Sequence, residues 1–559
     1  MASDSEKHAN VSPNDSSNSS LHADDLINAS GHVQELDRTW SFWSIAGEAV
    51  ISDNAWGAGS GSLVLALYNG GGPGVLYGLI AATLFYAFIC AGLSELSSAM
   101  PTSANVYHWA SVTPGPKYSR VCSWFAGWWN CVAWIFGCSS TSLAAANAVI
   151  AMYNIYNPDY VLQRWHVFIA FLFIIWTDNA IIMFGQKYLA RCATASGILC
   201  VLFFLVSLLT VAIMPSKTGA GYASNAFVWT EFQNLTGWSN NGLVFLMGVL
   251  NGAYAVGTPD AVCHLCEECP QPKKNIPKGV FTQLTTAFVM AFAFYTALVS
   301  PGRFPTGSRV SAYISSQLYA TTSLDDVFGS TVVSLPLAEI YRQATRSTAG
   351  TMALLFIVFI NILLTVPGAW MVAGRMLWTL GRDNASPFPS FVGKVSPRYR
   401  NPFNAQLLVT IGGTILGAIY VASSTAFNAF VASFTIFTTM SYLAAILPHL
   451  LTGRRYVKPG PFWIPGIWAY IIMGIACAYI LVFNVIYMFP YTYPVADLDF
   501  MNWTSVMFAG ITFLLTVGYM WKSRTGYVGP RVVMDASNDI MRGVIGLDRQ
   551  IQREAARHS

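Results

Sequence analysis

The feature that most constrains this chain is a run of helix breakers inside an apolar segment, Asn251-Gly-Ala-Tyr-Ala-Val-Gly-Thr-Pro-Asp260. A segment that crosses a bilayer must satisfy its own backbone N–H and C=O groups, because hydrocarbon supplies no water to do it. Interrupted backbone at membrane depth is tolerated only where it is buried in protein or lines a cavity. Gly252, Gly257 and Pro259 interrupt this segment, and Asp260 adds an ionisable group. A second break, Asp53-Asn-Ala-Trp-Gly-Ala-Gly-Ser-Gly61, lies in the first apolar segment. Paired breaks at corresponding places in two halves of a membrane protein are the best sequence pointer to a secondary transporter's binding site.

The setting is membrane throughout. The 559 residues are 54% hydrophobic and only 10% charged, against about 25% charged in soluble domains. A spanning helix needs ~20 predominantly apolar residues. Twelve such segments can be read, at 42–69, 74–98, 119–151, 166–185, 189–214, 242–266, 279–300, 350–379, 405–424, 427–451, 465–489 and 502–521. The expected organisation is a disordered cytosolic N-tail over 1–39, a twelve-span transporter domain over 40–522 and a cytosolic C-tail over 523–559. The N-tail is rich in Ser, Asn, Asp and His, with too little apolar surface to offset its ordering entropy. In the C-tail, 538–557 is read either as an amphipathic surface helix or as disorder.

With twelve spans both tails share one side, and 24 of the 30 Lys and Arg residues fall there. The positive-inside rule then puts both termini in the cytosol. Residues 1–40 lack an apolar stretch, so no cleavable signal peptide is expected and the first span serves as the insertion signal. The ten cysteines include several inside apolar spans, such as Cys90, Cys131 and Cys200. They read as small buried apolar residues rather than a disulfide framework. Spans one and six sit about 200 residues apart. A five-span unit has an odd number of crossings, so its repeat is inverted. The fold class expected is therefore all-α integral membrane, a five-plus-five inverted repeat with broken helices 1 and 6 plus two appended helices.

Several loop-edge motifs are specific in combination. They are Ser94-Glu-Leu-Ser-Ser-Ala-Met-Pro-Thr-Ser-Ala-Asn-Val-Tyr-His-Trp109, Asn69-Gly-Gly-Gly-Pro73, Thr258-Pro-Asp-Ala-Val-Cys-His-Leu-Cys-Glu-Glu268 followed by Lys273-Lys-Asn-Ile-Pro277, and Arg375-Met-Leu-Trp378 followed by Gly381-Arg-Asp-Asn-Ala-Ser-Pro387. Together with Phe489-Pro, Tyr493-Pro and Met501-Asn-Trp503, they resemble the amino acid–polyamine–organocation permeases, specifically the fungal amino acid/choline permease branch. The resemblance runs from about Trp40 to Lys522. One departure is Ala104-Asn105, where the family usually has Gly-Gly. It alters the geometry expected of that loop.

Candidate substrate-binding residues follow from the breaks. Gly57, Gly59 and Gly61 allow close backbone approach and Ser60 adds a hydroxyl. Free N–H groups at the start of the second half-helix suit a carboxylate, while the competing role for these small residues is tight helix packing. Asn54 and Trp56 look like family positions. In span six, Ala253, Tyr254 and Ala255 are expected to expose carbonyls suited to an ammonium group, with Gly257 at the break and Tyr254 as a gate. Aromatic faces attract cations, which brings in the span-three tryptophans 124, 128, 129 and 134, Trp134 foremost as the deepest. The alternative for each is packing or an interfacial belt. Asn361 and Thr365 on span eight are polar positions in an apolar run.

Intramembrane ionisable groups are functional candidates by default. They are Glu48, Asp53, Asp178, Asp260, His264 and Glu267. Asp260 is the foremost candidate, either to neutralise a cationic substrate or to carry the coupling proton, with helix capping after Pro259 as the competing role. Thr194 and Ser196 on span five are further coupling-ion candidates, and Asp178 is expected to pair within the bundle or face the outer interface. Cys263, His264, Cys266 and Cys269 are weighed as a zinc site, but lack a second ligand pair and a knuckle turn. Asn234 and Asn502 are sequons in loops expected outside, hence glycosylation candidates.

These features favour a secondary active permease for amino acids, choline or related small amines, proton-coupled and working by alternating access in the plasma membrane. Its partners are the solute, a proton and the bilayer, with neither cofactor nor nucleic acid. The alternatives are a specialised-metabolite transporter or exporter, or a non-transporting nutrient sensor. An enzyme needs a nucleophile–base pair or metal site in a cavity, and no Walker motif for ATP-driven pumping is present.

Overall fold

A computed structural model describes residues 41–58, 62–157, 159–295, 320–321, 335–422, 426–495 and 501–530. Gly59, Ser60, Gly61, the tail over 1–39 and the stretch 538–557 lie outside the described residues.

The described residues are helical, with no strand among them and a single isolated bridge, Asn69 to Asn234. The helices are α1 (Phe42–Ser52), α2 (Ala55–Ala58), α3 (Leu63–Tyr68), α4 (Gly71–Ala99), α5 (Asn105–Val112), α6 (Ser119–Tyr156), α7 (Arg164–Gly185), α8 (Leu189–Thr218), α9 (Asn225–Trp229), α10 (Asn241–Ala255), α11 (Pro272–Tyr295), α12 (Pro336–Thr345), α13 (Thr348–Arg382), α14 (Pro389–Val392), α15 (Phe403–Ala422), α16 (Ala426–Leu451), α17 (Gly466–Ile486) and α18 (Thr504–Lys522). Among the described residues, eight helical stretches are long and apolar enough to cross a membrane. One of them, Arg164–Thr218, is α7 and α8 joined through a 3-10 turn at Gln186–Tyr188.

Both expected breaks are present. The first apolar segment is divided into α1, the single turn α2 and α3. In the sixth, α10 stops at Ala255 and a 3-10 helix, Ala261–Glu268, resumes the path. The local cause is steric. Gly257 lies so near the preceding turn that an added Cβ would sit 2.6 Å from the Ala253 carbonyl oxygen, and Pro259 disfavours helical geometry at Thr258. At its other end α10 is capped by Asn240, whose Oδ1 accepts from the backbone N–H groups of Gly242 and Leu243.

The long helices α6 and α16 form the enclosed centre, packed on each other, with α13 also against α6. By contrast α18 faces almost wholly outward. In hydrocarbon, helices gain nothing from hiding apolar side chains from each other; close packing of small residues and interhelical hydrogen bonds hold them. The crossing of α1 and α8 shows this. A Cβ on Gly197 would meet the Gly47 Cα at 2.8 Å, and one on Gly47 would meet the Ala193 carbonyl oxygen at 2.6 Å. Likewise, Gly252 of α10 lies against the backbone of Gly78 and Leu79 in α4. That glycine therefore serves helix packing.

The α1–α8 crossing gives a direct test. Gly197→Leu should lower the thermal unfolding midpoint of the purified protein by several degrees, since overpacking costs about 1–3 kcal/mol. Gly510→Leu on α18, where nothing lies within 4 Å, should leave it unchanged. Equal midpoints for the two variants would contradict the close crossing.

Candidate substrate site at the helix breaks

The two breaks are joined to each other. The Thr258 hydroxyl lies 2.7 Å from Asp53 Oδ1 and 3.1 Å from the Ser52 carbonyl oxygen. Gln283 of α11 donates its amide to the Thr258 carbonyl at 2.6 Å and to the hydroxyl at 2.9 Å. Farther along, Ser62 donates to Asn251 Oδ1 at 2.6 Å. Side chains thus bind the two interrupted helices, as buried polar groups require.

Between them lies a cavity of about 40 Å³. At roughly 10–15 Å³ for each enclosed water, it holds a few waters at most. Ser52, Asp53, Asn54 and Thr258 supply its polar wall, and Trp134, Tyr254 and Phe434 its aromatic wall. The Tyr254 hydroxyl is 2.8 Å from Ser140 Oγ, and its ring meets Phe434 edge-on at 5.8 Å. Trp134 meets the same ring edge-on at 6.0 Å. Phe434 reaches this position because residue 137 of α6 is glycine; a Cβ there would lie 2.6 Å from the Phe434 ring.

Of the sequence candidates, Asn54, Trp134, Tyr254 and Thr365 are brought together at this cavity. Asn54 donates to the Thr365 hydroxyl at 2.8 Å, tying the first break to α13. Asn361 is fully buried one turn before Thr365, and both ends of its amide are without a hydrogen-bond partner. It faces Gly57, where an added Cβ would lie 2.7 Å from Asn361 Nδ2. Gly257 and Ala253 serve the turn at the break, while Ala255 touches the cavity. Trp56 instead packs edge-on against Phe294 and Phe204, at 5.0 and 6.1 Å. The other span-three indoles also point elsewhere: Trp124 donates to Leu515 O, Trp128 to Ala385 O and Trp129 to Thr512 Oγ1.

Asp260 does not line the cavity. It is fully buried behind Trp134, with five side chains within hydrogen-bonding distance of its carboxylate. Tyr442 lies 2.6 Å from Oδ1; Asn130, Trp134, His264 and Asn105 lie 2.8, 3.2, 3.3 and 3.4 Å from Oδ2. Asp260 occupies the N-cap position of the 3-10 helix but makes no side-chain capping bond. Its acceptor capacity goes to α5, α6 and α16. Asn105 also answers the departure in the loop after span two. Its φ is +48°, a left-handed conformation that Asn tolerates better than most residues. The side chain then reaches both Asp260 and His264.

Asp53 stands in contrast. It lines the cavity, is buried, and its Oδ2 has no hydrogen-bond partner. Sequence reasoning noted Asp53 among the ionisable groups but ranked it below Asp260. It did not single out Thr258, Asn130 or Tyr442. Neither Thr194 nor Ser196 joins either aspartate. Thr194 bonds Ser44 near the start of α1 at 3.2 Å, and Ser196 lines a different cavity. Of the sequons, Asn502 is buried, with its amide donating to the carbonyls of Tyr487 and Phe489. Asn234 is half-buried and donates to Trp238 O and Asn241 Oδ1.

Comparison with known proteins bears on the same stretch. The profile of the family described as amino acid permease matches residues 38–517. The choline transporter of Saccharomyces cerevisiae is 27% identical over 535 residues, covering 92% of this chain and 89% of that protein. The GABA-specific permease of the same yeast is 24% identical, over 95% of this chain and 89% of its own length. A putative amino acid/polyamine transporter of Macrophomina phaseolina is 25% identical, over 81% and 94% respectively.

The Asp260 network predicts an asymmetry between two buried tyrosines. Tyr442→Phe removes a donor to a carboxylate, a bond worth about 1.5–3 kcal/mol, and should lower the thermal midpoint clearly. Tyr86→Phe removes a buried hydroxyl that has no partner and should be neutral or stabilising. The reverse order would contradict the network.

Proposed function

The chain belongs to the amino acid permease family and is a multi-pass membrane transporter rather than an enzyme, and we propose that it carries a small ammonium-bearing solute past Asp53. The observation that supports this reading is the orphaned Asp53 Oδ2 at an aromatic-walled cavity between two helix breaks. A buried carboxylate oxygen without a partner is costly, and an ammonium group arriving beside it removes that cost. Tyr254, Trp134 and Phe434 wall the cavity, and aromatic rings hold cations, including quaternary ones with no N–H to donate. Choline, 4-aminobutyrate and amino acids all carry such a head, and the names of the yeast relatives fall in the same chemical range.

In this account transport is proton-coupled and proceeds by alternating access, with twelve crossings in a five-plus-five inverted repeat plus two appended helices. Both termini face the cytosol and the membrane is the plasma membrane. The coupling proton is assigned to Asp53 rather than Asp260. A single carboxylate open to the cavity can hold either the substrate cation or a proton, and the exchange links the two. Asp260, its acceptor capacity used within the protein, holds the interior half of broken helix six against α6 and α16.

The test is uptake of labelled choline, 4-aminobutyrate and an amino acid panel in a yeast strain lacking its own permeases. Accumulation of at least one should be abolished by a proton uncoupler. Asp53→Asn should reduce it more than tenfold, since losing one partner of a buried ion pair costs about 3–5 kcal/mol. Tyr254→Phe should retain more uptake than Tyr254→Ala. Wild-type uptake by Asp53→Asn, or no accumulation of any solute by protein shown at the cell surface, would overturn the reading.

A further inference from the structure

A second, much larger cavity of about 830 Å³ lies beside α1, within the range of about 300–1,000 Å³ typical of ligand pockets. Neighbouring positions separate the two spaces: Ser52, Asp53 and Thr365 face the small one, whereas Glu48, Ile51, Pro367 and Gly368 face the large one. Its mouth runs along α7, where Ile169, Phe173 and Ile181 are exposed and repeat at multiples of four residues. Ile169 and Phe173 are thus neighbours one turn apart, and all three fall within a sector of about 120° of the helix. The wall is apolar apart from a few groups, two of them carboxylates. Glu48 accepts from the Ser52 hydroxyl at 2.7 Å, and its Oε1 lies 2.5 Å from where a Gly368 Cβ would stand. Asp178 is 5% exposed, and its Oδ2 has no hydrogen-bond partner.

We propose that this cavity is a second binding site, reached from the apolar face of α7, for an amphiphile with one ammonium head and a hydrocarbon body. The shape and apolar wall select the hydrocarbon. A neutral chain alone would leave Asp178 unmet, and an unpaired carboxylate in apolar surroundings is costly. No Lys or Arg lines the space to meet it. An anionic lipid head is disfavoured by both carboxylates. A small hydrophilic amine would satisfy the charge but leave most of the apolar wall unfilled. The site is distinct from the Asp53 cavity and does not depend on what that cavity carries. Because α1 and α13 wall both spaces, an occupant here would press on the first broken helix from its other side.

The test uses full-length protein in nanodiscs and a dodecyl-trimethylammonium probe carrying a diazirine in its chain, beside the alcohol of the same chain. The ammonium probe should label peptides spanning 169–181 and 359–371 at least about tenfold more strongly than the alcohol, as expected for one charge-assisted contact. Asp178→Asn should erase that preference and Asp178→Glu should keep it. Excess choline should leave labelling unchanged. Equal labelling by the two probes, an unaltered preference in Asp178→Asn, or displacement by choline would overturn the proposal; the last would place the probe in the Asp53 cavity. Should Asp178→Asn not yield folded protein, the ammonium-to-alcohol ratio on the wild type decides alone.

Discussion

Everything at the centre of this protein follows from the need to satisfy backbone that two interrupted helices leave open. A bilayer cannot supply partners, so the chain supplies them from its own side chains. Thr258 does most of this at one point, meeting Asp53 and the Ser52 carbonyl while Gln283 holds it from behind. Ser62 and Asn251 add a side-chain link between the two segments farther along. The breaks are therefore one joined structure rather than two independent defects. A cavity bounded by polar atoms results where uninterrupted helices would leave only apolar packing.

That arrangement divides two aspartates by accessibility. Asp260 and Asp53 are both buried, and composition alone cannot rank them. Asp260 is surrounded by an amide from each of Asn105 and Asn130, an indole, an imidazole and a phenol, drawn from several elements. Such a network fixes the elements against one another and leaves nothing for a ligand. Asp53 has Thr258 on one oxygen and no partner on the other. Trp134 connects the two regions, lining the cavity with its ring and donating its N–H to Asp260. Rearrangement around Asp260 would move the cavity's aromatic wall directly.

Much of the architecture was legible because breakers and long apolar runs are local signals. A helix falls on each of the twelve apolar segments, and both breaks fall within the stretches that carry the breakers, the first at Asp53–Asn54 and the second at Val256–Asp260. The Asn54–Thr365 bond joins two candidates 311 positions apart, Asn54 noticed as a family position in the first break and Thr365 as a polar residue in an apolar run. The ranking of the aspartates was not legible, since it depends on which side chains from α5, α6 and α16 converge. Asn130 and Tyr442 look like ordinary interior residues along their own helices. Trp56 and Gly252 show the opposite failure. Both lie in the informative stretches, yet Trp56 packs against phenylalanines and Gly252 against α4. The large cavity beside α1 left no local pattern, because five separate segments build it.

The central claim is that the orphaned oxygen of Asp53 receives the substrate's ammonium group. The most direct measurement is a cryo-electron microscopy map of the protein bound to a saturating transported amine. The account predicts the ammonium nitrogen within about 4 Å of Asp53, the separation of an ion pair, with Tyr254 and Trp134 around it and the Asp260 contacts intact. An ammonium group bound at Asp260, or a ligand whose charged head lies away from both Asp53 and the aromatic wall, would contradict it.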